Sequence, residues 1–239
     1  MTIQSVKNNK VVAIIQARMG ASRLPNKMLL YLHGHPICEW VYKRVKMSKK
    51  VDQIIFALPD TEDNHVLAWY LESIGAEVFR GSESNLVDRY YKVARLNSAT
   101  EIVRICADNP LICASEIDRL IDFFRKGNCD YAYNHIPKEN KYPDGLGAEI
   151  CSIGLLKVIN KKAKTTNHRE HLFNYMWEHS SEYSIKTFDP LEEISYPKLK
   201  FDIDTMSDYK SLLEKEYRIN MSAAEIVHVA NNVIKNREI

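Results

Sequence analysis

Arg18, Arg23 and Lys27 stand close together on one short loop, within VVAIIQARMGASRLPNK at residues 11–27. Guanidinium groups grip phosphate oxygens bidentately and an ammonium adds a compact point charge, so this set suits a polyphosphate. Small neighbours, Gly20, Ala21 and Ser22, let a ligand approach the backbone. An apolar run from Val11 to Ile15 leads into the loop through Gln16 and Ala17. A loop leaving the carboxyl end of the first strand of an α/β sheet is where such folds place ligands. Pro25 stiffens the loop, and the apolar segment Met28 to Leu32 follows at once, pinning its far end. Neither G-x-x-x-x-G-K-[ST] nor G-x-G-x-x-G occurs, so this is no Walker A loop and no dinucleotide fingerprint. The plainer reading is a basic surface loop with solvated charges.

Two acidic sites complement the cations. In RICADNP, Asp108 stands where a buried strand ends, and Pro110 prevents the strand from continuing. A carboxylate there suits Mg²⁺, which takes one or two carboxylates together with phosphate oxygens and water. In KFDIDT, Asp202 and Asp204 alternate along an expected strand and so share a face, where they repel unless a cation sits between them. Thr205 is placed to cap the helix that follows. A cationic loop for β- and γ-phosphates, with Asp108 and Asp204 holding Mg²⁺ near an α-phosphate, is equipment for in-line displacement at phosphorus. Arg89, in the first turn of a helix entered by GSESN, is positioned to read a base or a phosphate, or to pair with Asp88 or Glu83.

The elements that must position these residues follow from pattern. Strands are expected at Val11–Ala17, Ile54–Leu58, Glu77–Arg80 and Glu101–Cys106. Helices are expected at Pro36–Met47, Glu62–Ile74 with Gly75 as its stop, Asn85–Leu96, and Ser115–Lys126 with Ser115 as its cap. This alternation predicts an α/β fold, a three-layer Rossmann-like arrangement around a mainly parallel mixed sheet. After residue 128 the rhythm changes. Two short β-like pieces flank a Tyr-, Pro- and Gly-rich loop at 129–153. Helices follow at 152–163 and 168–179, strands at Tyr183–Phe188 and Leu199–Ile203, and closing helices near 207–219 and 222–236. Residues 129–190 read as an inserted substrate or dimer region within one domain spanning 1–239, and residues 1–9 as a flexible lead.

A chain of 239 residues, 45% hydrophobic, can bury the core of one such domain. A net charge of +2 gives no case for a nucleic-acid partner. Cys38, Cys106, Cys113, Cys129 and Cys151 are odd in number, with no C-x-x-C pair, which fits reduced thiols in a cytoplasmic protein. No apolar run nears the roughly 18 residues of a membrane span.

The segment NHREH spaces His168 and His171 at i, i+3, unlike the H-E-x-x-H of zinc proteases. It reads as a helix start whose polar side chains, His168 and Arg169, face a pocket or a partner subunit. Asp144-Gly145 reads as a tight turn, and Glu149 either as a ligand of a substrate hydroxyl or amine or as a surface acid.

Taken together, IIQARMGASRLPNKML, GSESNLVDRYYKVA, RICADNPLI, YPDGLGAEICS, NHREH and DIDTMSDY occur in an order that resembles the CMP-sugar-acid cytidylyltransferases. These are the acylneuraminate and 3-deoxy-manno-octulosonate (KDO) activating enzymes. The chain is most similar to their spore-coat polysaccharide branch, over roughly residues 10–220. The resemblance implies a nucleotidyltransferase fold and attack by a sugar hydroxyl on the α-phosphorus of CTP, yielding a CMP-sugar and pyrophosphate. It implies that Arg18, Ser22, Arg23 and Lys27, in a loop like the family's A-R-x-x-S-x-R-L-P-x-K, hold the CTP phosphates, with Ala17 and Gly20 beside them. It further implies that Arg89 lies near the nucleotide, that Asp108 and Asp204 serve Mg²⁺, and that the chain forms a homodimer through the 130–190 region. Asp144, Glu149, His168 and Arg169 are its candidates for the sugar-acid acceptor. Asn109 replaces the cysteine of the branch's D-C-P turn, and Gly147 replaces the acid of its D-G-L-D-x-E segment.

Two other readings stand beside this one. Asp202 and Asp204 have the D-x-D form of a metal-dependent nucleotide-sugar glycosyltransferase, although such a motif usually lies mid-chain. A nucleotide-binding protein without turnover is the third.

Overall fold

Val11 to Ile15 have no exposed surface and make the centre of β1 (Val11–Gln16). A strand apolar on both faces belongs inside a parallel sheet with helices on each side. Residues 9–235 are described by this computed structural model, so the lead expected at 1–9 lies outside them save for Asn9. β1 pairs in parallel with β4 (Gln53–Pro59) and β6 (Glu101–Cys106), and β4 pairs in parallel with β5 (Glu77–Gly81). Residues 129–190 extend this same sheet. β8 (Glu149–Ser152) runs antiparallel to β6 and to β7 (Tyr131–Tyr133), and β7 runs parallel to β9 (Ile185–Thr187). The order is β5-β4-β1-β6-β8-β7-β9. A small ribbon, β2 (Tyr31–Leu32) with β3 (His35–Pro36), lies apart.

Alternation along the strands sends side chains to two cores. Val11, Ala13 and Ile15 pack with α1 (Ile37–Val45), α2 (His65–Ser73) and α4 (Ala114–Gly127). Val12 and Ile14 pack with α3 (Leu86–Leu96), α5 (Ile153–Lys162), Leu172 and Phe173 after α6 (Thr166–Glu170), and Tyr175 and Met176 of α7 (Asn174–Glu178). A third core joins Leu24, Leu111, Phe201 and Ile203 to Leu212 of α8 (Met206–Leu213) and Ile226 of α9 (Ala223–Lys235). That core anchors the three loops that carry Arg23, Asp108 and Asp204. Among the described residues no helix is long and apolar enough to cross a membrane.

Local signals account for several ends. Gly75 has φ +78°, and the Gly75 and Ala76 N–H groups donate to the Glu72 and Leu71 carbonyls, a Schellman stop for α2. Thr205 caps α8 in a full capping box with Asp208. Ser115 does not cap α4. The cap position is Cys113, whose N–H is drawn to Leu146 O, and Ser115 lies inside the first turn. The helix expected over 168–179 is split, because His171 turns extended (φ −121°, ψ 111°) and lets Leu172 and Phe173 reach the core, Phe173 against the Tyr131 ring. The strand expected at Leu199–Ile203 forms only one bridge, Lys200 to Asp144, because its N–H groups divide between two loops. Phe201 donates to Asp144 O and Ile203 to Asp108 O. The helix expected near 207–219 stops at Leu213.

Candidate active site

A cavity of about 490 Å³ opens at the carboxyl ends of β1, β4 and β6. The loop after β1 supplies Ala17, Arg18, Ala21, Ser22, Arg23 and Lys27 to its wall. The ends of β4 and β6 add Pro59, Cys106, Ala107 and Asp108. Glu83, Ser84, Leu86 and Arg89 come from the start of α3, Asp204 from the segment before α8, and Glu170 and His171 from the end of α6. The cationic loop and both metal candidates therefore share one space. Gly20, Asp144, Glu149, His168, Arg169 and Asp202 are not part of its lining.

Lys27 lies at the centre. Its side chain is 8% exposed, and Nζ donates to Asp108 Oδ2 at 2.8 Å and to Ile203 O at 2.6 Å, with Asp204 Oδ1 at 3.6 Å. Asn26, in a left-handed turn at φ 59°, precedes the short 3-10 turn Lys27–Leu29 that aims it. Arg23 pairs with Asp204 across 2.9 Å but stays 64% exposed, so its guanidinium is accessible to a ligand. Arg89 is 4% exposed and donates from Nη1 to Ser82 O at 2.8 Å, while neighbouring Asp88 pairs with Lys92. Burial lowers the Arg89 pKa, and the nearby Arg18 adds to this, so an anion arriving between them relieves like-charge crowding.

Asp202 and Asp204 do share a cation, as their spacing requires. Lys200 Nζ lies 3.2 Å from Asp202 Oδ2 and 3.8 Å from Asp204 Oδ2. Asp144 sits near this group, and its pKa is raised to about 6, by burial first and then by Asp202, with Lys200 opposing and Asp108 and Asp204 adding.

Glu149 is no surface acid. It is 4% exposed, bonded by Arg104 Nη1 and by the Tyr131 hydroxyl at 2.5 Å, with His135 Nε2 at 3.7 Å. Burial alone raises a carboxyl pKa, yet Arg104, His135 and Tyr131 together hold Glu149 below the usual range. Burial pushes His135 down. From the far side of Glu149, Arg104 Nε donates to Gln16 Oε1 at 3.2 Å, and Gln16 lines the cavity. Gln16 and Cys106 were legible only as strand ends, since their pairing in register across β1 and β6 comes from the sheet.

His168 meets Glu178 at 2.6 Å and packs edge-on against Tyr175, while Glu170 and His171 take the cavity side of the same helix. Only the turn that breaks the expected longer helix presents that face. The serine of the family-like loop pattern falls at Ala21, with Ser22 one place on, and both line the cavity. At Gly147 no side chain fits, because a Cβ there would lie 2.2 Å from the Asn134 carbonyl oxygen and 2.3 Å from its Oδ1.

The sequence profile described as cytidylyltransferase matches residues 12–232. The chain belongs to the cytidylyltransferase family. Like the rest of that family it is a CTP-dependent nucleotidyltransferase, which sets aside the glycosyltransferase reading of Asp202 and Asp204. The spore coat polysaccharide biosynthesis protein SpsF of Bacillus subtilis is 31% identical over 232 residues, covering 93% of this chain and 95% of that one. A 3-deoxy-manno-octulosonate cytidylyltransferase of Thermodesulfovibrio yellowstonii is 30% identical over 127 residues, 49% of this chain and 48% of its own. A solved cytidylyltransferase structure from Leptospira borgpetersenii superposes with a TM-score of 0.85 at 26% identity, over 95% of this chain and 96% of that one. The cavity of this cytidylyltransferase thus sits where its fold leaves strand ends open.

Proposed function

We propose that this cytidylyltransferase couples CTP to a sugar acid of the ulosonic type, or to a related glycan precursor, for surface polysaccharide synthesis. An acceptor hydroxyl oxygen bonds to the α-phosphorus, the bond from that phosphorus to the pyrophosphate oxygen breaks, and the hydroxyl proton leaves to solvent. The observation that carries the reading is the meeting of Lys27 with Asp108 and Asp204 in the cavity that Arg18 and Arg23 line. The similar KDO enzyme supports the acceptor class, and SpsF supports the link to polysaccharide synthesis.

In this account Arg18, Arg23 and Lys27 hold the β- and γ-phosphates and neutralise the pyrophosphate as it departs. Ala17 and Ser22 line the phosphate path, Gly20 shapes the loop behind it, and Arg89 sits by the nucleotide. Asp144, Glu149, His168 and Arg169 serve the acceptor side indirectly, since the cavity wall there is Gln16, Glu170 and His171.

Asp108 and Asp204 fit Mg²⁺. Among the described residues no three His, Cys, Asp or Glu side chains group as a metal cage, and Mg²⁺ asks for one or two carboxylates with phosphate oxygens completing its shell. When bound, the ion supplies Lewis-acid neutralisation of the α-phosphate oxygens. Their contacts with the buried Lys27 ammonium, at 2.8 and 3.6 Å, keep both half-buried carboxylates pointed at one place.

The same proposal includes a cytoplasmic homodimer joined through residues 130–190 and built on a single domain, which light scattering of the purified protein checks. The activity is tested by incubating the protein with CTP, Mg²⁺ and a panel of KDO- and sialic-type ulosonic acids, with pyrophosphate as the readout. Release that depends on one acceptor supports the reading. CTP binding with no release from any acceptor favours a binding protein without turnover, and no CTP binding removes the proposal.

A further inference from the structure

The amine that the phosphates need already occupies the oxygens that a cation needs. Lys27 Nζ lies 2.8 Å from Asp108 Oδ2 and 3.6 Å from Asp204 Oδ1, and a third oxygen, Ile203 O, holds it at 2.6 Å. Asp108 comes from the turn after β6 and Asp204 from the segment before α8, and they have in common this one buried ammonium, whose side chain is 8% exposed. Arg23 and Lys200 cover the other faces of Asp204, at 2.9 and 3.8 Å. A divalent ion entering between Asp108 and Asp204 therefore competes directly with a desolvated amine for the same oxygens.

We propose that Lys27, besides holding phosphate, reserves Asp108 and Asp204, so that the free protein binds a divalent ion poorly and the two acids become available only when a triphosphate draws the ammonium away. This rests on the reading that these acids serve the metal. A triphosphate offers Lys27 a better-matched anion in the same cavity, and the long, flexible lysine stem lets the ammonium change partners without moving the backbone. Nucleotide and ion are then positively coupled, because each relieves the other of a competing partner. The arrangement discriminates against unproductive loading, since an ion alone finds its carboxylates already paired.

Direct titration of Mn²⁺ into the nucleotide-free protein, followed by the electron-spin signal of the free ion, tests this without any acceptor. Wild-type protein is expected to bind Mn²⁺ only in the millimolar range. Lys27→Met removes the charge but keeps the stem, and is expected to bind at least about tenfold tighter, as release of a close competing charge pair allows. Adding Asp108→Asn to Lys27→Met should return the affinity to the wild-type range, which locates the gain. Far-ultraviolet circular dichroism and a melting curve establish that each variant is folded, and Lys27→Gln is the substitute should the methionine variant not be.

Tight Mn²⁺ binding by the nucleotide-free wild type overturns the proposal whatever the variants do. So does a folded Lys27→Met that binds no better than wild type, or a gain that survives Asp108→Asn. The cytidylyltransferase reading fails separately, by absence of CTP binding or of pyrophosphate release.

Discussion

Lys27 Nζ donates to Asp108 Oδ2 across 2.8 Å, although 81 residues separate the two in the chain. One comes from the loop after β1 and the other from the turn after β6, strands that lie side by side in the sheet. Each neutralises the other in the cavity wall. Replacing either by alanine leaves its partner without a counter-charge and removes one element of phosphate or ion binding. Lys27→Ala and Asp108→Ala are each expected to lower kcat by about a hundredfold or more, the size of losing one preorganised charge contact. Steady-state pyrophosphate release under saturating CTP measures it. A fall of less than about threefold contradicts the assigned roles.

Glu149 and Arg104 make a stability prediction of a different kind. Both belong to a polar row that crosses β1, β6, β8 and β7 beneath the cavity. Removing one member of a buried ion pair strands the other. Glu149→Ala is expected to cost about 3–5 kcal/mol in urea unfolding. Because Gln16 Oε1 is held by Arg104, the same substitution should also loosen the cavity floor. A cost below about 1 kcal/mol would place Glu149 in solvent, contrary to its burial.

Asp144 carries a pH signature. Burial, with Asp202, Asp108 and Asp204 nearby and Lys200 opposing, raises its pKa to about 6 in the folded chain. Between its unfolded value near 4 and about 6 the folded state then binds more protons than the unfolded state, so stability falls as pH rises through that window. Asp144→Asn cannot titrate and should flatten this part of the stability curve. At pH 7 it is expected to be more stable than wild type by about 1 kcal/mol, the shift being discounted because the group is partly solvated. Parallel melting curves from pH 4 to 7 measure the difference, and curves of equal slope would contradict it.

Gly147 predicts intolerance. A Cβ there would stand 2.2 Å from the Asn134 carbonyl oxygen, which is backbone and cannot rotate aside. Gly147→Ala is expected to destabilise the fold by about 3 kcal/mol or more, at the upper end of overpacking costs. Restoring the acid of the related segment, Gly147→Asp, should fare no better. A melting temperature within a degree or two of wild type would show that the 134–147 contact relaxes cheaply.

What the sequence made readable was local. The buried apolar run before Arg18, the glycine stop at Gly75 and the Thr205 cap each depend on neighbours a few residues away, and each appears in the fold. What it hid was settled by distant partners. Ser115 lost the cap position because Cys113 is tied to Leu146, and Leu199–Ile203 gained no full ladder because its donors went to Asp108 and Asp144. Glu149 passes for a surface acid until Arg104 and Tyr131 are brought beside it by strand pairing. On the cavity wall, the cationic loop was legible from residue type and spacing. Glu170 and His171 were not, because only the extended turn at His171 decides which side of α6 faces the opening.

A crystal structure of the protein with CTP and Mg²⁺ decides whether nucleotide, ion and Lys27 meet in this cavity. The triphosphate is expected against Arg18, Arg23 and Lys27, with the Lys27 ammonium shifted from Asp108 and the ion between Asp108 and Asp204. Nucleotide density on another face of the sheet, with Lys27 still bonded to Asp108, would contradict it.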